Sequence, residues 1–250
     1  IEIGNYIILL DAGPNENLYR YLTKWQYTYL LNADEKVHID YLIVTHFDND
    51  HYKGFIEIIN DSRFTFGTIV HPGILKFKSS ENSYSSGLGD IYKKDKKKYL
   101  STYFNNLLTA SEAVPFNRDV TNFITALKNA GKQKRVMKAK RYKAGNILID
   151  ELIDGQQFTI EILGPFTERV DSRERYVYWT DDGKTINGHS LVLKLTYGAR
   201  TVLLGGDLNT SSEKYLMERY KNKNPFEADV AKSCHHGSSD FSEEFMALIN

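Results

Sequence analysis

The chain is predicted to be an α/β protein in which sheets are covered by helices. Two observations carry that expectation. Short runs of aliphatic and β-branched residues alternate with stretches of helical periodicity, and the strands fall into two halves with helices between. A third narrows it: ligand-type side chains recur just after the strand-like runs. The totals fit a soluble fold of this kind, with 250 residues, 41% hydrophobic, 26% charged and a mean hydropathy of −0.45. One substantial domain spanning 1–250 is expected. The single cysteine, Cys234, excludes an internal disulfide framework and agrees with a cytoplasmic protein. No apolar run reaches the length of a membrane span, and no signal-peptide pattern is present.

Taken in order, Ile1 to Ile3, the pair Gly4-Asn5 and Tyr6 to Leu10 read as a hairpin, and Asp11-Ala12-Gly13-Pro14 breaks the strand. Leu18, Leu22, Trp25 and Tyr29 fall at helical spacing, so residues 16–31 are predicted as a helix whose apolar stripe packs into the core. A strand runs from about Ile39 into His46, a helix follows through Phe55 to Ile59, and Phe64 to Val70 is a strand ending at His71-Pro72-Gly73. Residues 74–118 differ in character and read as a basic insertion. Within it, Ser79 to Gly89 reads as a mobile loop, and Tyr92, Tyr99, Tyr103 and Leu107 predict a basic amphipathic helix.

Asp119 to Ala130 is predicted as a helix stopped by Gly131. Strands return at Ile147 to Leu152 and Phe158 to Leu163, and a polar loop runs from Thr167 to Gly188. Two clear strands follow, Ser190 to Tyr197 and Thr201 to Leu204, the second running into Gly205-Gly206-Asp207. Thr210 to Tyr220 is a helix with Thr210 and Glu213 in capping-box positions. Ala228 to Ser233 is a last strand that discharges Cys234-His235-His236-Gly237-Ser238. Ile1 already sits in a strand-like run and Asn250 ends a helix-like one. Both ends therefore read as cut from something longer, with further domains or a partner chain beyond them.

The densest chemistry lies at residues 41–51, where Tyr41 to Val44 empty into a loop carrying His46, Asp48, Asp50 and His51. Two imidazoles and two carboxylates form the mixed nitrogen and oxygen set that Zn²⁺ or Mn²⁺ accepts. A polar surface loop with incidental histidines is the bland alternative, and the crowding of four such groups at the end of a buried strand argues against it. A calcium loop is excluded, because the glutamate it requires falls on Ile59. Similar groups recur as His189, Asp207, His235 and His236, each explicable alone as a loop, turn or core residue, but together more economical as one site.

The balanced net charge hides an asymmetry. From Lys76 to Lys143 there are sixteen Lys plus Arg against five acids, the densest piece being Lys93-Lys94-Asp95-Lys96-Lys97-Lys98. A lysine run alone is usually a solvated face; a long segment of one sign beside a metal site points to a polyanionic partner. Serine-hydrolase chemistry lacks its G-x-S-x-G motif. Gly183-Lys184-Thr185 lacks the upstream glycine of a P-loop, whose place holds Tyr178.

These motifs resemble the metallo-β-lactamase fold superfamily. Leu9-Leu10-Asp11-Ala12-Gly13, Thr45-His46-Phe47-Asp48-Asn49-Asp50-His51, Leu203-Leu204-Gly205-Gly206-Asp207 and the closing His-His-Gly-Ser come in that family's order. The family's first motif is H-x-H-x-D-H, and here Asp48 replaces its second histidine. With Ser190 to Leu193 before the Gly-Asp motif, the pattern is most similar to the hydrolase domain of ComEC-type DNA-uptake proteins and their stand-alone relatives. The likeness covers nearly the whole chain except about 74–118.

The resemblance implies an αββα sandwich of two mixed sheets with helices on the outer faces, and a pair of divalent ions. By position, His46, Asp48 and His189 would hold one ion. Asp50, His51 and either His235 or His236 would hold the other, and Asp207 would bridge them. His235 is favoured as the ligand and His236 as the substrate contact; His71, also at a strand end, competes with His189 or supports the site from behind. Asp50, Asp207 and His236 are the catalytic candidates, and Asp11 a candidate orienter of a ligand histidine. Zn²⁺ is the first expectation, with Mn²⁺ a serious competitor because Asp48 hardens one site.

The implied activity is a phosphodiesterase, a nuclease in particular, working through a metal-bridging hydroxide. Nucleic acid or another phosphodiester is the expected partner. The same scaffold also supports hydrolysis of small esters, thioesters, lactones or phosphorylcholine, since fold does not fix chemistry. A third possibility is a non-catalytic module whose basic segment docks a partner.

Overall fold

The structure, a computed structural model, describes residues 1–78 and 84–249. The chain divides into two compact units, Ile1–Ser83 with Tyr103–Arg141, and Tyr84–Thr102 with Tyr142–Asn250. The Ser79 to Gly89 loop expectation falls partly on residues 79–83, and the chain-end helix expectation on Asn250; both lie outside the described residues.

In the first unit, β1 (Glu2–Ile3) and β2 (Tyr6–Leu10) form the expected hairpin over Gly4, whose φ is +54°. The predicted helix over 16–31 is broken into α1 (Asn17–Tyr21), a π-helical turn at Leu22–Gln26 and α2 (Thr28–Asn32). The extra residue per turn rotates the apolar stripe out of register. Leu22, Tyr27 and Leu31 are buried, while Trp25 and Tyr29, expected in the core, are 76% and 85% exposed. Next come β3 (Val37–Ile43), α3 (Asn49–Tyr52), α4 (Phe55–Asn60) and β4 (Phe64–His71).

The chain then gives the second unit β5 (Ile91–Lys94) and β6 (Lys97–Leu100), an antiparallel hairpin where a basic amphipathic helix was expected. Tyr99 and Leu100 are buried beside β11. Alternate aromatic and lysine residues satisfy a strand as well as a helix, and pairing with a sheet decides between them.

Back in the first unit, α5 (Arg118–Lys132) is capped by the Asn117 side chain, which accepts from Val120 N at 2.9 Å. It runs through Gly131, the expected stop, and ends before Lys134 at φ +57°. A strand that the polar sequence concealed follows, β7 (Val136–Arg141). The sheet order is β1-β2-β3-β4-β7, with β2, β3, β4 and β7 parallel. Each parallel step is bridged by helix, as crossover connections require. One packing nucleus is aromatic: Phe47, Tyr52 and Phe123 meet with ring centroids 5.1–5.7 Å apart.

The second unit continues with β8 (Ile147–Ile153), β9 (Gln156–Gly164), β10 (Glu168–Val170), β11 (Arg173–Tyr178), α6 (Asp182–Gly188), β12 (Val192–Tyr197) and β13 (Arg200–Leu204). The region 167–188, expected to be a loop, thus holds two strands and a helix, with Val170, Arg175 and Tyr176 buried. Then come α7 (Thr210–Arg219), β14 (Val230–Lys232) and α8 (Glu243–Ala247). The capping box of α7 is made by Asn209 and Ser212, not by Thr210 and Glu213. One sheet runs β14-β13-β12-β9-β8 and the other β10-β11-β6-β5.

The α/β class therefore holds, with three sheets rather than two: two mixed five-stranded sheets and a third, antiparallel, of four strands. A core of Leu163, Val192, Leu203, Leu208, Leu216, Phe226 and Phe245 closes the second unit. No helix among the described residues is long and apolar enough to cross a membrane.

Candidate functional site

In the first unit the site begins as a consequence of register. Leu10 pairs with Ile43 and Ile43 with Val70 on parallel strands. The residues that follow each strand therefore emerge together at the carboxyl edge: Asp11, then Thr45 and His46, with His71 at the tip of β4. That edge is where α/β sheets place ligands.

Asp11 holds φ +50°, a left-handed turn that aims its carboxylate at the next strand's loop. Thr45 N donates to Oδ1 at 2.9 Å and Thr45 Oγ1 to Oδ2 at 2.8 Å. His51 Nδ1 meets the same Oδ2 at 2.7 Å. A carboxylate only accepts, so Nδ1 carries a proton, and in the neutral ring Nε2 is then the lone-pair nitrogen. That is how a ligating histidine is prepared by the group behind it. His51 is 2% exposed, and its ring centroid lies 4.0 Å from that of His46, which is fully buried.

Asp48 and Asp50 occupy different environments. Asp48 is the N-cap of α3 yet makes no side-chain cap; its Oδ1 lies 2.6 Å from Lys76 Nζ. Asp50, on α3, reaches His51 Nε2 at 3.7 Å with its side chain 48% exposed. The helix α4 can crowd this loop because Gly54 has no side chain: a Cβ there would lie 2.4 Å from Asn15 O and 2.5 Å from Ala12 O. Gly54 N donates instead to Gly13 O at 2.9 Å. His71 is fully buried; burial pushes its imidazole down to about 3, with Arg141 adding to the effect against a raising contribution from the Ala139 backbone.

The second unit repeats the logic at another sheet edge. β13 and β14 are parallel, Leu204 pairs with Lys232, and β12 runs antiparallel to β13. The residues before β12 and after β13 and β14 thus share one edge: His189, Asp207 and the His235-His236 pair. His189 is 1% exposed, stacked on Trp179 at 4.4 Å and tilted against Tyr176 at 4.8 Å. Its Nε2 donates to Val177 O at 2.7 Å, which leaves Nδ1 as the lone-pair atom, and burial lowers its pKa to about 4.

Asp207 is 2% exposed, in a turn fixed where its N–H donates to Ser190 Oγ at 3.1 Å. His236 Nε2 stands 3.4 Å from Asp207 Oδ2, with its side chain 55% exposed. His235 turns the other way. Its Nε2 is 3.5 Å from Asn187 Nδ2, and its buried Nδ1 has no hydrogen-bond partner among the described residues. The residue beside Asp207 is therefore His236, expected at the substrate, and not His235, expected as the ligand. The cause is the backbone: His235 and His236 hold φ of +47° and +54°, two successive left-handed residues that turn the chain sharply after β14. Such conformations in non-glycine residues persist where surrounding structure fixes them.

Groups that could hold a metal ion include Asp50 and His51 in the first unit and Asp207 and His236 in the second. Sequence reasoning missed Thr45, Lys76, Asn187, Ser190 and the Val177 carbonyl. Thr45 and Ser190 adjoin histidines, a signal that was available; Lys76 and Val177 were not, because nothing local ties them to Asp48 or His189. Comparison with protein-family models and with curated proteins finds no match to this chain.

Proposed function

We propose that this chain is a divalent-metal-dependent hydrolase of the metallo-β-lactamase type, acting on phosphodiesters and on nucleic acid in particular. One observation carries the reading: a buried histidine, His51, held at Nδ1 by a carboxylate that two Thr45 donors already fix. Building such a carboxylate–histidine pair at a strand edge has its best physical rationale in ligation. In this reading the ligand residues are drawn from His46, Asp48, Asp50, His51, His189, Asp207 and His236.

The donor set fits divalent ions, being imidazoles and carboxylates with thiolate absent, so Zn²⁺ comes first and Mn²⁺ competes. Such ions, when bound, supply Lewis acidity toward water and toward a phosphoryl oxygen. The chain's own residues do the placing. Asp11 and the Val177 carbonyl set which nitrogen of His51 and His189 is available, and Ser190 holds the Asp207 turn. Lys76 pairs with Asp48 and holds its carboxylate in place. Asp50 and His236 are the exposed members of the set, open to substrate.

The test is metal content of protein purified without added metal, paired with hydrolysis assays in Mn²⁺ and Zn²⁺. Two equivalents of metal, cleavage of bis(p-nitrophenyl) phosphate and single-stranded DNA, and loss of both in Asp207→Ala are expected. Cleavage of a thioester or lactone with the phosphodiesters intact would move the chain to the small-ester reading. A protein that retains no metal would end the hydrolase reading altogether.

A further inference from the structure

We infer that the β5–β6 hairpin is the element that grips the phosphate backbone of a nucleic acid. The inference rests on the nucleic-acid part of the reading above but not on the metal chemistry. The hairpin places like charges where a sheet least tolerates them: Lys93 is directly opposite Lys98, and Lys94 directly opposite Lys97. Its two-residue turn, Asp95-Lys96, has φ of +48° and +67°, so the second turn position carries a lysine where glycine is preferred.

Two of the five lysines are answered inside the unit. Lys94 pairs with Asp171, and Lys97 lies 3.7 Å from Glu168. Lys93, Lys96 and Lys98 are exposed and meet no carboxylate among the described residues. The row that holds Lys93 and Lys98 continues on β11 with Tyr178, so no acid interrupts it. Three unanswered ammonium groups thus stand at the tip and on one face of a short ribbon. Both local costs, like-charge pairing and a left-handed lysine, fall on lysines. A polyanion relieves both, because binding neutralises the charges that repel in the free protein.

Residues 93–98 are five lysines and one aspartate. That composition offers a lipid surface no apolar anchor, which a membrane-binding element would need beside its charge. A phosphate backbone asks only for charge in a row.

The experiment is fluorescence anisotropy of a labelled single-stranded 20-mer with the full chain in EDTA, so that cleavage cannot intervene. The variant combines Lys93→Ala, Lys96→Gly and Lys98→Ala. Because it removes a like-charge pair and a left-handed lysine, its thermal midpoint should stay equal or rise, which excludes misfolding as the cause of weaker binding. Affinity at 50 mM salt should fall about tenfold or more, and the slope of log K against log salt should become shallower by about two. A paired Lys128→Ala, Lys132→Ala variant on α5, in the same basic segment, should bind as the unmodified chain does.

Unchanged DNA binding in the hairpin variant overturns the inference. So does failure of the unmodified chain to bind DNA, whether or not it binds vesicles of phosphatidylserine or an acidic peptide. If DNA binding depends on the hairpin while no phosphodiester is cut with either metal, the hairpin assignment stands and the hydrolase reading falls.

Discussion

Asp11 Oδ2 and His51 Nδ1 share a 2.7 Å hydrogen bond across forty residues of chain. Asp11 follows β2, and His51 follows β3 on α3, so the parallel pairing of those two strands makes the bond possible. It is also the most direct handle on what the site does. Asp11→Ala removes the group that selects the His51 tautomer, and metal affinity should fall about 10- to 100-fold. Calorimetric titration with Mn²⁺ and Zn²⁺ reads this directly; an unchanged affinity would mean that His51 is buried for packing alone.

The two terminal histidines make a second contrast. His236 stands against Asp207 while His235 is turned to Asn187. His236→Ala should therefore lower bound metal more than His235→Ala, measured as metal retained after gel filtration. The opposite order would restore His235 as the ligand.

Gly54 tests how the Asp11 loop is held. A Cβ at this position meets two backbone oxygens, which cannot swing aside as a side-chain tip can. Gly54→Ala should cost about 1–3 kcal/mol and lower the thermal midpoint by roughly 3–10 °C. An unaltered melting curve would show that the loop yields easily and that Asp11 is not fixed from this side.

Glu213 gives a pH signature separate from the metal groups. It is fully buried, Oε2 accepts from Ser242 N at 2.6 Å, and burial raises its pKa to about 7, with Asp240 adding and the Ser242 N–H opposing. The folded chain then holds this proton more tightly than the unfolded one. The stabilisation is complete below the unfolded value near 4.5 and is lost as pH rises to about 7. Glu213→Gln removes that dependence. Urea unfolding at pH 4.5 and at pH 8 should show the unmodified chain losing on the order of 3 kcal/mol more than the variant. Parallel behaviour of the two would mean that Glu213 is charged when folded.

The sequence made the strands around the site legible because their residues are apolar on both sides or alternate cleanly, as in Leu42 to Val44 and Leu193 to Leu195. It misled where aromatic residues could satisfy two periods. Trp25 and Tyr29 matched a helical stripe that a π-turn then rotated into solvent, and the tyrosines of 92–107 matched a helix that became a hairpin. β7 and β11 were hidden by their lysines and arginines, which interrupt any apolar run; in β11 one of these, Arg175, is itself buried.

By itself, then, the sequence determined the α/β class, most of the strand and helix order, and the residue types that gather after the strands: His46 to His51, His189, Asp207 and the closing histidine pair. These are local facts, set by periodicity and by which side chains follow an apolar run. The tertiary structure decided which nitrogen each histidine offers, that Lys76 sits on Asp48, and that His236 rather than His235 meets Asp207. Those outcomes depend on strand register and on two left-handed residues after β14, and a contact between groups far apart in the chain exists only once the backbone between them has a path.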